Sequence, residues 1–173
     1  MRRFEALLDR AGIDVVDLPP EVEEVKGVMV YLGQFPDGCG RIFLNPTLTA
    51  DDDPHSVAVV AHELAHFLLS TLTDHPRHVL PLLLDPAQRP GYNELEEEAD
   101  CLAAYLLVPP DVRTHYPSRY PTMESLAAAL GVPIWVVERA LAYPDYDPTP
   151  ICAFLSDLIG HPTFVPRDEG LAG

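Results

Sequence analysis

Basic residues are scarce in this chain. Lys and Arg number 11 against 27 Asp and Glu over 173 residues, a formal charge of −16 at pH 7. A surface of that sign repels phosphate backbones, so direct binding to nucleic acid is not expected. Cysteine is thin as well: Cys39, Cys101 and Cys152, an odd number with no C-x-x-C pair. That argues against a disulfide framework and a thiolate zinc cage, and it fits a reducing cytoplasm. Nowhere is there a run of about 18 apolar residues, so no transmembrane helix and no membrane partner are expected. The first residues carry Glu5, Asp9 and Asp14 and lack the apolar centre of a secretion signal. No internal repeat is present. Proline, by contrast, is abundant, with 19 residues. Because apolar runs lie between the prolines, they predict many chain breaks rather than disorder. The length suits one domain with a sizeable core.

In chain order, Phe4, Leu7, Leu8 and Ala11 follow the i, i+3, i+4, i+7 spacing of a short amphipathic helix, ended by Gly12. Ile13 to Leu18 is an extended segment. Val28 to Leu32 and Arg41 to Leu44 read as two strands of a hairpin, joined through the turn-rich stretch Pro36-Asp37-Gly38-Cys39-Gly40. A long helix is predicted from Asp53 to Leu72, with Asp53 as N-cap and Pro54 at the first helical position. The connection from Thr73 to Tyr92 contains Pro76, Pro81, Pro86 and Pro90, and its histidines, His75 and His78, read as bystanders. A second helix spans Asn93 to Val108 and stops at Pro109-Pro110. Two more follow, Met123 to Leu130 and Pro133 to Leu141. Ile151 to Ile159 reads as a short docked helix, and Arg167 to Gly173 as a frayed end.

The chemistry lies in the first long helix. From Val57 to Leu72 nearly every residue is apolar or small, and the ionisable ones are His62, Glu63 and His66. A helix apolar on all sides belongs in a core, where ionisable groups need partners. Residues at i and i+4 share a helix face, so His62 and His66 can offer two imidazole nitrogens to one metal. Glu63 then stands beside them to hold a water. His62-Glu63-Leu64-Ala65-His66 is thus the H-E-x-x-H pattern of zinc hydrolases, which requires a third protein ligand.

The second helix offers Glu94, Glu96, Glu97 and Glu98. An acidic first turn is ordinarily a solvated face favoured by the helix dipole. Glu96, however, shares a stripe with Asp100, Ala103 and Leu107, so the side that packs carries Glu96 and Asp100 inward. Asp100 can then accept a hydrogen bond from a ligand histidine. Glu96 is the preferred third ligand, with Glu97 or Glu94 as fallbacks. A capping pair of Asn93 with Glu96, involving no metal, competes with it.

Together, His62-Glu63-Leu64-Ala65-His66 and Glu96-Glu97-Glu98-Ala99-Asp100-x-x-Ala103-Ala104-x-Leu106-Leu107-Val108-Pro109 resemble the ImmA/IrrE family of metallopeptidases. Leu102 stands where Phe is usual and Val108 where Met is usual. The resemblance covers roughly residues 10–110. It implies an α+β, small zincin-like fold of gluzincin type: an N-terminal β-hairpin or sheet on an active-site helix and a ligand helix, with a C-terminal helical layer. On this layout residues 1–110 form the catalytic core, 111–160 a helical extension packed on it, and 161–173 a tail. One Zn²⁺ per chain would be held by His62, His66 and Glu96, with Glu63 as general base and Asp100 orienting a histidine. The resemblance also implies a protein substrate, a helix-turn-helix repressor in a stress-response or mobile-element circuit.

Three questions stay open in the sequence. The oxyanion needs a further donor, for which Tyr92, His115 and Tyr116 are candidates and Tyr92 is preferred for its place ahead of the ligand helix. Leu126-Ala127-x-x-Leu130-Gly131-Val132-Pro133 resembles a helix-turn-helix, but the would-be reading helix has one basic residue, Arg139. Trp135 and Val136 look like packing groups, so a packing helix pair is expected. The alternative to a peptidase is a non-catalytic, zinc-containing regulatory protein that captures a repressor or a toxin–antitoxin partner. The intact Glu63 argues against it, since a structural site does not require that carboxylate.

Overall fold

The computed structural model describes residues 4–18, 27–32, 39–45, 53–72, 92–144, 146, 148, 151 and 153. The connection holding His75 and His78, most of the expected helix from Ile151 to Ile159, and the tail lie outside the described residues.

Helix α1 (Glu5–Ala11) buries Leu7, Leu8 and Ala11, with Phe4 just ahead of it, the face that the apolar spacing marks. It stops at Gly12, whose φ of 65° is a left-handed conformation that glycine adopts without a Cβ clash. The chain turns directly into β1 (Ile13–Asp17), so the extended segment is a strand. β2 (Gly27–Leu32) and β3 (Cys39–Leu44) pair antiparallel, Gly27 opposite Leu44 and Leu32 opposite Cys39. These are the expected hairpin. β1 joins the other edge of β3 in parallel, giving the order β1-β3-β2. In central β3, Ile42 and Leu44 are fully buried while Arg41 is exposed and faces Asp14 at 3.7 Å. That alternation is the mark of a sheet with one covered face, and the cover is α2 (Pro54–Leu72), which packs on β2 and β3.

The carbonyl of Asp53 accepts from Val57 N at 3.3 Å, so α2 starts where Asp53 and Pro54 predict. Its buried residues wrap the helix, from Ser56 and Val57 to Leu69. Helix α3 (Tyr92–Leu107) lies against it. Ala61 and Ala65 on α2, and Ala99, Ala103 and Ala104 on α3, are all fully buried; such small side chains let two helices approach closely. α3 begins one residue earlier than expected. Asn93 therefore lies within its first turn.

Beyond α3 comes a short helix that the sequence did not suggest, α4 (Pro110–Thr114). Pro110 occupies its first position, where the missing N–H costs nothing, so a proline pair read as a stop is also a start. α5 (Met123–Leu130) opens on a capping box between Thr122 and Ser125. It closes at Gly131, with φ 62°. α6 (Ile134–Ala142) follows, bent 114° from α5, and packs on both α3 and α5. Val112, Leu126, Leu130, Val136 and Val137 belong to the same apolar cluster as Leu64 and Leu102, so residues on both sides of position 110 share one core. Among the described residues no single helix is long and apolar enough to cross a membrane.

Candidate metal centre

His62 and His66 lie one turn apart on α2, and their Nε2 atoms approach to 3.1 Å. Glu96 reaches them from α3: its Oε2 is 3.2 Å from His62 Nε2 and its Oε1 is 3.5 Å from His66 Nε2. One donor atom from each of the three lies within 4.8 Å of the other two. His66 is buried, and His62 and Glu96 are half-buried. Behind His62, Asp100 Oδ1 stands 2.9 Å from Nδ1, one turn after Glu96 on α3.

The hydrogen-bond roles follow from chemistry. An ionised carboxylate only accepts, so His62 Nδ1–H donates to Asp100, and Nε2 is left facing Glu96 and the second imidazole. Nitrogen lone pairs and a carboxylate oxygen crowded this closely need a cation among them. In the absence of metal a proton serves. Burial alone would lower the pKa of His62, but its hydrogen bonds to Asp100 and Glu96, with the charges of Glu63 and Asp100, outweigh burial and raise it to about 10. Burial likewise pushes Glu96 up, and the hydrogen bonds and charges of His62 and His66 outweigh it, holding the carboxyl well below the usual range.

The spacing also suits a metal. Ligands about 2.0–2.1 Å from a tetrahedral ion stand about 3.3 Å from one another, and the three contacts measured here run from 3.1 to 3.5 Å. Two imidazoles and one carboxylate, with a histidine oriented from behind by Asp100, thus fit a divalent metal that keeps a further position open.

Glu63 follows His62 on α2, half-buried, with its charge acting on that ring. Glu94, Glu97 and Glu98 are exposed. Glu97 is engaged elsewhere, accepting from Arg139 Nη1 at 3.1 Å and from the Tyr143 hydroxyl. Of the acidic residues in the first two turns of α3, Glu96 is therefore the one brought to the histidines. Of the candidate oxyanion donors, Tyr92 is the first residue of α3. His115 is exposed, its Nδ1 2.6 Å from the carbonyl of Asp111, and Tyr116 packs half-buried against the core. Both follow the C-terminal end of α3, about 16 Å of helix beyond Glu96. Arg139 and Tyr143 escaped the sequence reading as site residues. The available signal was the spacing of Arg139 with Val136 and Ala140, both buried, which sets it at the margin of the packed face of α6.

Residues 8–142 match a family described as an IrrE N-terminal-like domain, Peptidase_M78. No curated protein and no solved structure matches the chain. The family match runs from within α1 to the end of α6 and takes in both helices of the metal centre, well over half of the sequence. The chain belongs to the IrrE N-terminal-like family of peptidases.

Proposed function

We propose that this protein is a zinc-dependent endopeptidase that cuts a protein substrate, a helix-turn-helix repressor or regulator in a stress-response or mobile-element circuit. The observation that carries the reading is the convergence of His62, His66 and Glu96 from two helices, with Glu63 beside them. His62 Nε2, His66 Nε2 and a Glu96 carboxylate oxygen would hold one Zn²⁺ per chain. Zinc bound there supplies a Lewis acid that polarises the scissile carbonyl and acidifies a water. Asp100 keeps the proton of His62 on Nδ1, so that Nε2 presents its lone pair. The Glu63 carboxylate takes a proton from the attacking water and passes it to the departing amine nitrogen. Tyr92, His115 and Tyr116 are the donors to test for the oxyanion, Tyr92 first for its place ahead of the ligand helix. The acidic composition disfavours nucleic acid as partner, and the sparse cysteines fit a reducing cytoplasm. A protein substrate, like the choice of a repressor, rests on the family.

The test is cleavage of a helix-turn-helix repressor encoded beside this gene. Zinc-loaded protein should cut it, and Glu63→Gln should keep the metal and lose about 10²–10⁴ in rate, the usual contribution of a general base. A Glu63→Gln protein that still relieves repression fully would replace the peptidase by the non-catalytic binding protein.

A further inference from the structure

Both oxygens of the Asp100 carboxylate are engaged, on opposite sides. Oδ1 accepts from His62 Nδ1 at 2.9 Å, and Oδ2 lies 3.6 Å from Arg139 Nη2 on α6. The other arm of the same guanidinium, Nη1, donates to Glu97 Oε1 at 3.1 Å. Glu97 in turn accepts from the Tyr143 hydroxyl, and the guanidinium lies 5.6 Å from the centre of the Tyr143 ring. A continuous line of polar contacts thus runs from the exposed side of α6, through Arg139 and Asp100, to the histidine at the metal centre.

We propose that Arg139 is a positioning residue for the metal centre: it fixes the plane of the Asp100 carboxylate and so sets how tightly α2 and α3 retain the metal. A terminal carboxylate torsion is broad, and an Asp100 with His62 as its single anchor would swing about that contact. The ion pair on Oδ2, at 3.6 Å, narrows the swing and favours Oδ1 aimed at Nδ1. The guanidinium is suited to this because its planar fork reaches Glu97 with one arm and Asp100 with the other. Its positive charge would by itself oppose a nearby cation, but Glu97 on the same guanidinium offsets that charge at the range of the metal. We take orientation to outweigh the repulsion that remains.

The inference rests on His62, His66 and Glu96 being metal ligands, and its test reads zinc affinity rather than proteolysis. Zn²⁺ is titrated against a competing chelator into wild type, Arg139→Ala, Asp100→Asn and the double variant, with melting of the metal-free proteins followed in parallel. Loss of a partner behind a ligand histidine costs about 10–100-fold in affinity. Asp100→Asn should fall in that range, and Arg139→Ala should lose about 10-fold. In the Asp100→Asn background Arg139→Ala should cost less than about twofold, because the carboxylate it positions is gone. A merely structural loss would instead lower melting and affinity alike in both backgrounds. Arg139→Lys keeps a cation but not the fork, so it should remain at least about fivefold weaker than wild type; it also serves if the alanine variant fails to fold. Wild-type affinity in Arg139→Ala or Arg139→Lys, or an equal loss in both backgrounds, overturns the inference. A wild-type protein that takes up no zinc overturns the metal reading beneath it instead.

Discussion

His62 is where the electrostatics of the site concentrate. Two carboxylates and a second imidazole come within 3.2 Å of its ring nitrogens. The consequence for pH has a definite sign in the metal-free protein. His62 is raised from an ordinary value of 6.5 to about 10, so its stabilising charge is fully present below 6.5 and is lost as pH rises toward 10. Glu96 is lowered from 4.5, so its contribution is present above 4.5 and is lost as pH falls below it. Metal-free protein should therefore melt at its highest temperature between about pH 4.5 and 6.5, and progressively lower toward pH 10. The same proton must leave before a metal can take its place. Calorimetry at pH 7 in buffers of different ionisation enthalpy should show about one proton released per zinc bound. Binding with no proton release would mean that His62 is neutral before the metal arrives.

At the scale of elements, the close approach of α2 and α3 makes the centre. His62 and Asp100 meet at 2.9 Å, across a helix pair whose alanines at 61, 65, 99 and 103 are fully buried. Ala103 shares its stripe with Glu96 and Asp100, so bulk added there acts on the ligands. Ala103→Leu should cost about 1–3 kcal/mol of stability, as overpacking does, and should weaken zinc binding in the same protein. Full stability with undiminished affinity would show that the helices have room to spare. That Glu96, rather than Glu97 or Glu94, stands beside the histidines was legible because it depends on local periodicity: one stripe carries the buried Ala103 and Leu107. The role of Arg139 was not, because its partner Glu97 lies 42 residues away on another helix. Seen alone, it was the one basic residue of a possible reading helix, and its contact with α3 appears only once the helices are packed.

For the whole molecule the same division holds. Helix α1, the hairpin of β2 and β3, and helices α2, α3, α5 and α6 announce themselves through periodicity, caps and turn residues, all local signals. The parallel pairing of β1 with β3 does not, since strand propensity carries no information about the partner. Helix α4 was hidden because Pro109-Pro110 reads equally as the end of one helix and the start of the next. The shared core explains why the segment after position 110 matters to the site: α6 packs directly on the helix that carries Glu96. The most direct test of the account is the zinc content of the purified, zinc-loaded chain, measured for wild type, Glu63→Gln and Glu96→Ala. The account predicts about one zinc per chain in the first two and a large loss in Glu96→Ala, as a three-ligand site requires. No zinc in wild type, or a full complement in Glu96→Ala, would contradict it.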